Sequence, residues 1–333
     1  ICTEYGLQIF ENFRKLTEDR QNEKAKVSAT LSLPFKPAQA QATQKQARES
    51  LILLHKQLAL DIDSETVFEN SEYAIWLDSS RQDYGSGRFS YLCKAEGLLG
   101  RIVSVDVKTH AIHVTGKNGD QETRGNFFDW LENDLNRFEI DLPEMPFEFA
   151  LGWLGYIGYE MKGDCEAGSI HRSPYPDTVM VFCNRGTVID HQEKQVHLLG
   201  LARYDAQSES EKWIEDTSML LTDMGPAHQD EPDNLPESLS LEKPFVLRHD
   251  REKYIGLIEK SKEYIRQGET YEVCLTNMAT ARSGADPWTA YRMLRRSNPT
   301  PYSAYLQLKD ICILSCSPER FLSISDERIA ESK

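Results

Sequence analysis

Leu7, Ile9, Phe10, Phe13 and Leu16 recur at helical spacing with polar residues between them, which predicts an amphipathic helix whose apolar face needs a partner. Residues 21–49, QNEKAKVSATLSLPFKPAQAQATQKQARE, are rich in Gln, Ala and Lys, carry two prolines and read as a linker. From residue 50 the period shortens. Aromatic, β-branched or alternating runs at 73–77, 88–93, 101–107, 111–115, 178–189 and 196–201, each bounded by turn residues, predict strands. The Asn118-Gly119 pair favours a tight turn, and Ser86-Gly87 precedes another strand. Two helices interrupt this run, at 127–138 and 209–221; for the second, Ser208 and Glu211 have capping-box spacing, and Trp213, Ile214, Thr217, Leu220 and Leu221 face inward.

An acidic stretch with prolines, 225–244, marks a boundary or a long surface loop. Asp250 then caps a helix whose Tyr254, Leu257, Ile258, Ser261, Tyr264 and Ile265 form one stripe, and Gly268 sits where a left-handed terminator belongs. A strand at 271–279, a helix at 287–296 and strands at 302–308, 311–315 and 321–325 follow. The expected organisation is a helix at 1–20, a linker at 21–49, a strand-rich region at 50–224, an acidic loop at 225–244 and a further region at 245–333.

Composition narrows the class. With 40% hydrophobic and 27% charged residues among 333, a wholly disordered, collagenous or coiled-coil chain is excluded. A net charge of −15 repels nucleic acid and anionic membrane, so neither is an expected partner. Apolar runs such as 52–54 and 150–154 fall far below the ~20 residues of a membrane span, and no signal peptide opens the chain. A cytoplasmic protein is expected. Seven cysteines, an odd number without a CxxC pair, fit reduced thiols better than a disulfide framework or zinc site.

Candidate chemistry lies in a few segments. Gly152, Gly155 and Gly158 in FALGWLGYIGYEMK lack the spacing and following helix of a phosphate loop, and read as a strand that lets other backbone or a ligand approach closely. His110 and His113 straddle a hairpin turn and read as solvated histidines. Leu77-Asp78-Ser79-Ser80, with Tyr84 and Gly87-Arg88-Phe89-Ser90, either lines one pocket or forms a capped β-connection. Asn298-Pro299-Thr300-Pro301-Tyr302 is a rigid helix-to-strand turn that either holds an aromatic ring beside a ligand or simply stops the helix. Ser315-Cys316-Ser317-Pro318-Glu319 places hydroxyls and a carboxylate after an apolar strand, as a site or as a surface turn.

These segments, with QGETYEVCLTN at 267–277 and SCSPERFL at 315–322, occur in the order found in component I of the chorismate-aminating synthases, which the chain resembles over most of 49–333. The resemblance implies an α+β fold, two antiparallel β-sheets packed as a sandwich with helices outside. ICTEYG through Phe13 resembles the closing helix of a class I glutamine amidotransferase, so the expected order is amidotransferase, linker, component I. A flexible linker of ~30 residues spans about 30 Å and keeps the two parts at roughly millimolar effective concentration.

This order is similar to that of the fused folate-branch synthases of fungi and plants. It implies conversion of chorismate, with ammonia from glutamine, to 4-amino-4-deoxychorismate on the way to p-aminobenzoate. The alternatives are anthranilate synthase component I, or a non-catalytic tryptophan-binding module. The resemblance makes Glu319 the acid/base candidate that protonates the departing hydroxyl. It makes Leu77, Ser79, Arg88, Phe89, Pro301 and Tyr302 a pocket for tryptophan or a similar amino acid, with Arg88 as a pocket-organising ion-pair partner. The family's nucleophilic lysine lies in a Pro-Ile-Lys-Gly-Thr motif expected directly after Lys333, so Lys333 is the residue before the motif. Magnesium ligands are likewise expected beyond residue 333. The chain by itself is therefore expected neither to turn over chorismate nor to hydrolyse glutamine.

Overall fold

Alternation of apolar and polar side chains builds two facing sheets in the computed structural model, which describes residues 48–69, 71–79, 87–165, 172–225, 235–236, 238–325 and 329–331. The expected helix at 1–20 and all but the last two residues of the expected linker lie outside the described residues. The chain divides into two compact units: Gln46–Pro236 with Asp286–Lys333 form one, and Glu237–Ala285 belong to the other.

The larger unit starts with β1 (Glu49–Leu58), α1 (Ser64–Val67), β2 (Tyr73–Asp78), β3 (Phe89–Lys94), β4 (Arg101–Asp106), β5 (Ala111–Gly116) and β6 (Gln121–Arg124). Next come α2 (Phe127–Leu135), β7 (Phe138–Asp141), β8 (Gly152–Ile157), β9 (Thr178–Cys183), β10 (Arg185–Asp190), β11 (Gln195–Arg203) and α3 (Ser208–Met224). The second unit holds β12 (Val246–Leu247), α4 (Arg251–Arg266) and β13 (Ala279–Thr280). Back in the first unit are α5 (Pro287–Ser297), β14 (Tyr302–Leu308), β15 (Ile311–Ser317), β16 (Ser323–Ile324) and β17 (Ala330–Glu331).

One sheet has eight strands in the order β15-β14-β2-β3-β10-β11-β1-β7, the other five in the order β6-β5-β4-β9-β8. Their inner faces meet in a shared core: Ile75 and Cys93 of the larger sheet pack with Leu154, Val179 and Val181 of the smaller. The outer face of the smaller sheet, Val103, Val105 and Ile112, is covered by Phe127 of α2. The outer face of the larger, with Trp76, Leu92 and Leu198, is covered by Ile214 and Leu221 of α3 and Tyr291 of α5. This is the expected α+β sandwich with one departure: β7 runs parallel to β1, so the larger sheet is mixed.

Several elements differ from the sequence reading for local physical reasons. β1 was not expected as a strand: LILLHKQL has no turn signal inside it, and the pairing of 51–58 with β11 decides its state. The single strand expected at 178–189 breaks at Asn184, with β9 in the small sheet and β10 in the large one. Asn184 is 2% exposed and makes the corner: its N–H donates to Lys94 O, its carbonyl accepts from Leu201, and its side-chain oxygen accepts from the N–H of Glu96. Helix α2 ends at Leu135, because Phe138 turns into the core as the first residue of β7. The Ser208–Glu211 capping box does not form: Gln207 is the N-cap and Ser208 is already helical.

Beyond the acidic stretch at 225–244, β14 pairs with β2 and returns 302–308 to the first sheet. In the second unit, Asp250 caps α4 through the N–H of Lys253, and Gly268, at φ +73°, ends it. No residue of α4 is buried. The strand expected at 271–279 is reduced to Ala279–Thr280, paired with Val246–Leu247, because no other described strand pairs with residues 271–278. The strand expected at 321–325 is likewise reduced to Ser323–Ile324, paired with β17. Among the described residues no helix is long and apolar enough to cross a membrane, and the six described cysteines are unbridged.

Helix α5 is held by charge as well as by packing. Its Arg295 Nε donates to Asp78 at 2.6 Å, and Arg292 and Arg296 pair with Glu65 of α1. Asp78 is 2% exposed. Removing one member of such a buried pair costs about 3–5 kcal/mol, because the other charge stays behind unpaired. Asp78→Ala is expected to lose that much in urea unfolding, with part of the loss recovered in an Asp78→Ala/Arg295→Met double variant. A loss below about 1 kcal/mol would overturn this account of α5. At Gly155 in β8 an added Cβ would lie 2.1 Å from Val179 O, so the backbone of β9 would have to move. Gly155→Ala is expected to lower stability by about 1–3 kcal/mol through overpacking, read as a reduced thermal midpoint.

Candidate functional site

Antiparallel register places the chemistry-bearing segments at one end of five neighbouring strands. Ser303 at the start of β14 faces Asp78 at the end of β2, Phe89 at the start of β3 faces Asp190 at the end of β10, and Tyr302 faces Ser317 at the end of β15. Leu77, Ser79, Arg88, Phe89, Pro301 and Tyr302 are thus brought to the same end of the larger sheet. Ser80 and Tyr84 lie outside the described residues.

Two carboxylates organise this end. Asp78 accepts from the Ser90 hydroxyl at 3.2 Å, from Arg295 Nε at 2.6 Å and from the Tyr291 hydroxyl at 3.4 Å. Ser90 has one hydroxyl proton and gives it to Asp78, so its 2.8 Å contact with His191 requires His191 Nε2 to carry the proton and donate. Its oxygen also accepts the N–H of Ser79 at 3.2 Å. Burial pushes the pKa of His191 down, against the upward pull of Asp78, which keeps the imidazole neutral near pH 7. Burial, reinforced by the Asp78 charge, pushes the Tyr291 phenol up, so it remains a donor.

The second carboxylate, Asp190, accepts from Arg88 Nη2 at 2.7 Å and Nε at 3.1 Å, and from the N–H groups of Gln192 and Glu193 at 3.0 and 3.1 Å. Burial raises its pKa, but Arg88 and the two backbone donors outweigh that and hold the carboxyl below the ordinary range. Arg88 is raised by its hydrogen bond to the same carboxylate. Its guanidinium lies 4.7 Å from the Phe89 ring centroid, within cation–π range. The site is therefore preset: both buried acids are partnered, and the aromatic and hydroxyl groups between them are fixed.

Ser79 Oγ donates to Phe89 O at 2.8 Å, tying the ends of β2 and β3 together. Thr300 and Ser303 exchange a 2.8 Å hydroxyl contact under the Pro301-Tyr302 step. Glu319 lies two residues past β15, exposed, on a turn in which Ser317 Oγ donates to Glu319 O at 2.8 Å. It is at the same end of the sheet, but the described contacts do not join its carboxylate to Asp78 or Asp190. Tyr291, Arg295, Asp190 and His191 were not identified from sequence. Tyr291 and Arg295 follow the i, i+4 spacing of one helix face, and Asp190 is the lone acid closing an apolar strand; these are the signals the sequence carries for them. Among the described residues no group of three or more His, Cys, Asp or Glu is placed to hold a metal ion.

Comparison with known proteins follows the same boundaries. Residues 72–332 match the family described as chorismate binding enzyme. An aminodeoxychorismate synthase from Streptomyces griseus is 39% identical over 341 aligned positions, covering 100% of this chain and 47% of that protein. The chloroplastic aminodeoxychorismate synthase of Arabidopsis thaliana is 32% identical over 282 positions, covering 78% of this chain and 30% of that one. The chain spans about half the length, or less, of the curated relatives it matches. In fold, it aligns with the crystal structure of anthranilate synthase component I from Streptococcus pneumoniae TIGR4 at a TM-score of 0.55 and 24% identity, covering 72% of this chain and 52% of that one. With the paired strand ends from Tyr73 to Ser317 all inside the matched span, the chain belongs to the chorismate binding enzyme family.

Proposed function

We propose that this protein acts in the amination of chorismate, as part of an aminodeoxychorismate synthase that uses ammonia released from glutamine and leads toward p-aminobenzoate and folate. The observation that carries this reading is the 39% identity, along the whole chain, with a protein of that activity. The likeness to anthranilate synthase component I is one of fold and does not favour the alternative product.

In this reading Glu319 is the acid that protonates the departing hydroxyl. Its place on a turn beside the ends of β14 and β15 lets it meet a substrate without disturbing the buried pairs. Magnesium serves as the family's metal. The pocket of Leu77, Ser79, Arg88, Phe89, Pro301 and Tyr302 holds tryptophan or a similar amino acid. Arg88 orders the pocket through Asp190.

The full-length protein, given chorismate, magnesium and either glutamine or ammonium, is expected to form 4-amino-4-deoxychorismate, resolved by liquid chromatography and mass. Anthranilate fluorescence in its place would select the other synthase, and no amination from either nitrogen source would overturn both. Glu319→Gln is expected to lower kcat by about 10²–10⁴-fold with little change in KM, as loss of a positioned acid does. For the pocket, titration calorimetry with tryptophan should give heat that Arg88→Ala removes. Because Asp190 is ionised and His191 neutral from pH 7 to 8.5, that affinity should be flat over this range. No heat with the wild-type protein would sink the amino-acid pocket while leaving the amination assay to stand by itself.

A further inference from the structure

Arg185, at the start of β10, is 2% exposed, yet no ion pair reaches it among the described residues. Its Nη1 donates to the Ser210 hydroxyl at 2.6 Å and lies 3.4 Å from Leu201 O and 3.3 Å from Asn184 O. All of these are neutral acceptors. Its buried Nε has no hydrogen-bond partner. Burial pushes its pKa down, and the charges of Glu209 and Glu96 only partly offset this. A buried guanidinium left in this state is strongly unfavourable unless something arrives to pair with it.

Gly200 faces Arg185 across the ladder with β11, and its missing side chain gives room both to the guanidinium and to Ser210 of α3. Beside Arg185 is a cavity of about 190 Å³ between the outer face of the larger sheet and α3. Arg185 and Thr187 line it on the sheet side, and Phe68, Leu92, Trp213 and Leu221 give it apolar walls. The guanidinium lies 5.7 Å from the Trp213 ring. A cavity of about 150 Å³ suffices to hold benzene, so this one has room for a ring and a small polar group. The other cation in the lining, Lys94, is already engaged by Glu69 and Glu96 at 2.8 and 3.0 Å.

We propose that this cavity is a second ligand site, distinct from the strand-end site, which takes a small monocarboxylate with an apolar ring or chain. The carboxylate would meet Arg185, the one charge in the lining that no ion pair reaches among the described residues, and the apolar body would lie among Trp213, Leu92 and Leu221. One cation without an ion pair selects a single negative charge, and the walls select against a hydrated polar body.

The test uses the full-length protein with 4-fluorobenzoate and its neutral amide, 4-fluorobenzamide, observed by fluorine NMR in the presence of saturating tryptophan and without chorismate. The acid is expected to bind at least tenfold more tightly than the amide. Arg185→Gln should bring the acid down to the level of the amide. Thr217→Trp, at a half-buried position on the cavity wall, should abolish binding of both by filling the space and leaving Arg185 in place. Circular dichroism reports whether each variant folds. If Arg185→Gln does not fold, the acid–amide ratio and Thr217→Trp decide the question. Equal affinity for acid and amide, no binding of the acid at millimolar concentration, or acid binding that survives Thr217→Trp would each overturn the site. The assay involves no amination, so its failure is separate from any failure of the proposed activity.

Discussion

The buried pairing of Asp78 with Arg295 joins parts of the chain 217 residues apart, and the candidate site at the end of the larger sheet is built around it. A carboxylate at 2% exposure is tolerable only when its charge is met, and three side chains meet it: Ser90 from β3, and Tyr291 and Arg295 from α5. In return, Asp78 fixes where α5 lies on the sheet, and α5 leads directly into the Pro301-Tyr302 step and β14. The aromatic layer of Trp76, Trp288, Tyr291 and Tyr305, with centroids 5.3–6.2 Å apart, fills the space between that helix and the sheet.

A second constraint is the corner at Asn184. Because β9 and β10 are consecutive yet belong to different sheets, one residue must turn the chain from the inner sandwich face to the next sheet while satisfying its own backbone in a dry place. Asn184 does this with three hydrogen bonds to Lys94, Glu96 and Leu201. The next side chain, Arg185, then emerges on the opposite face under α3. A strand residue that would otherwise be apolar is a guanidinium there, and the missing side chain of Gly200 gives it room.

Much of this was legible in the sequence. Alternation and turn residues marked β2 to β5, β8, β11, β14 and most of β15, and the caps of α4 were read correctly from Asp250 and Gly268. Where local patterning and tertiary context disagreed, context prevailed. The apolar run of β1 has no period that separates strand from helix, residues 178–189 look continuous because a sheet-switching corner leaves no mark in hydropathy, and Tyr271 to Met278 has strand composition without a described partner. The site was half visible: the strand-end segments were identifiable by their polar residues, but Tyr291, Arg295, Asp190 and His191 act only through a register that brings distant segments together. Arg185 was invisible as chemistry, since nothing in RGTVID says that the arginine points inward.

The same long connection governs how the protein is made. β2 and β3 are synthesised long before β14, and the acid at the end of β2 waits for a base 217 residues later. At about 5–20 residues per second, roughly 10–40 s of synthesis separate the two. During that interval Asp78 lacks its guanidinium and the edge of β2 is an open row of backbone donors and acceptors. The early half of the sheet is therefore exposed to the cell as a nascent intermediate, and its dependence on chaperones is set by the sequence distance between one carboxylate and its counter-ion.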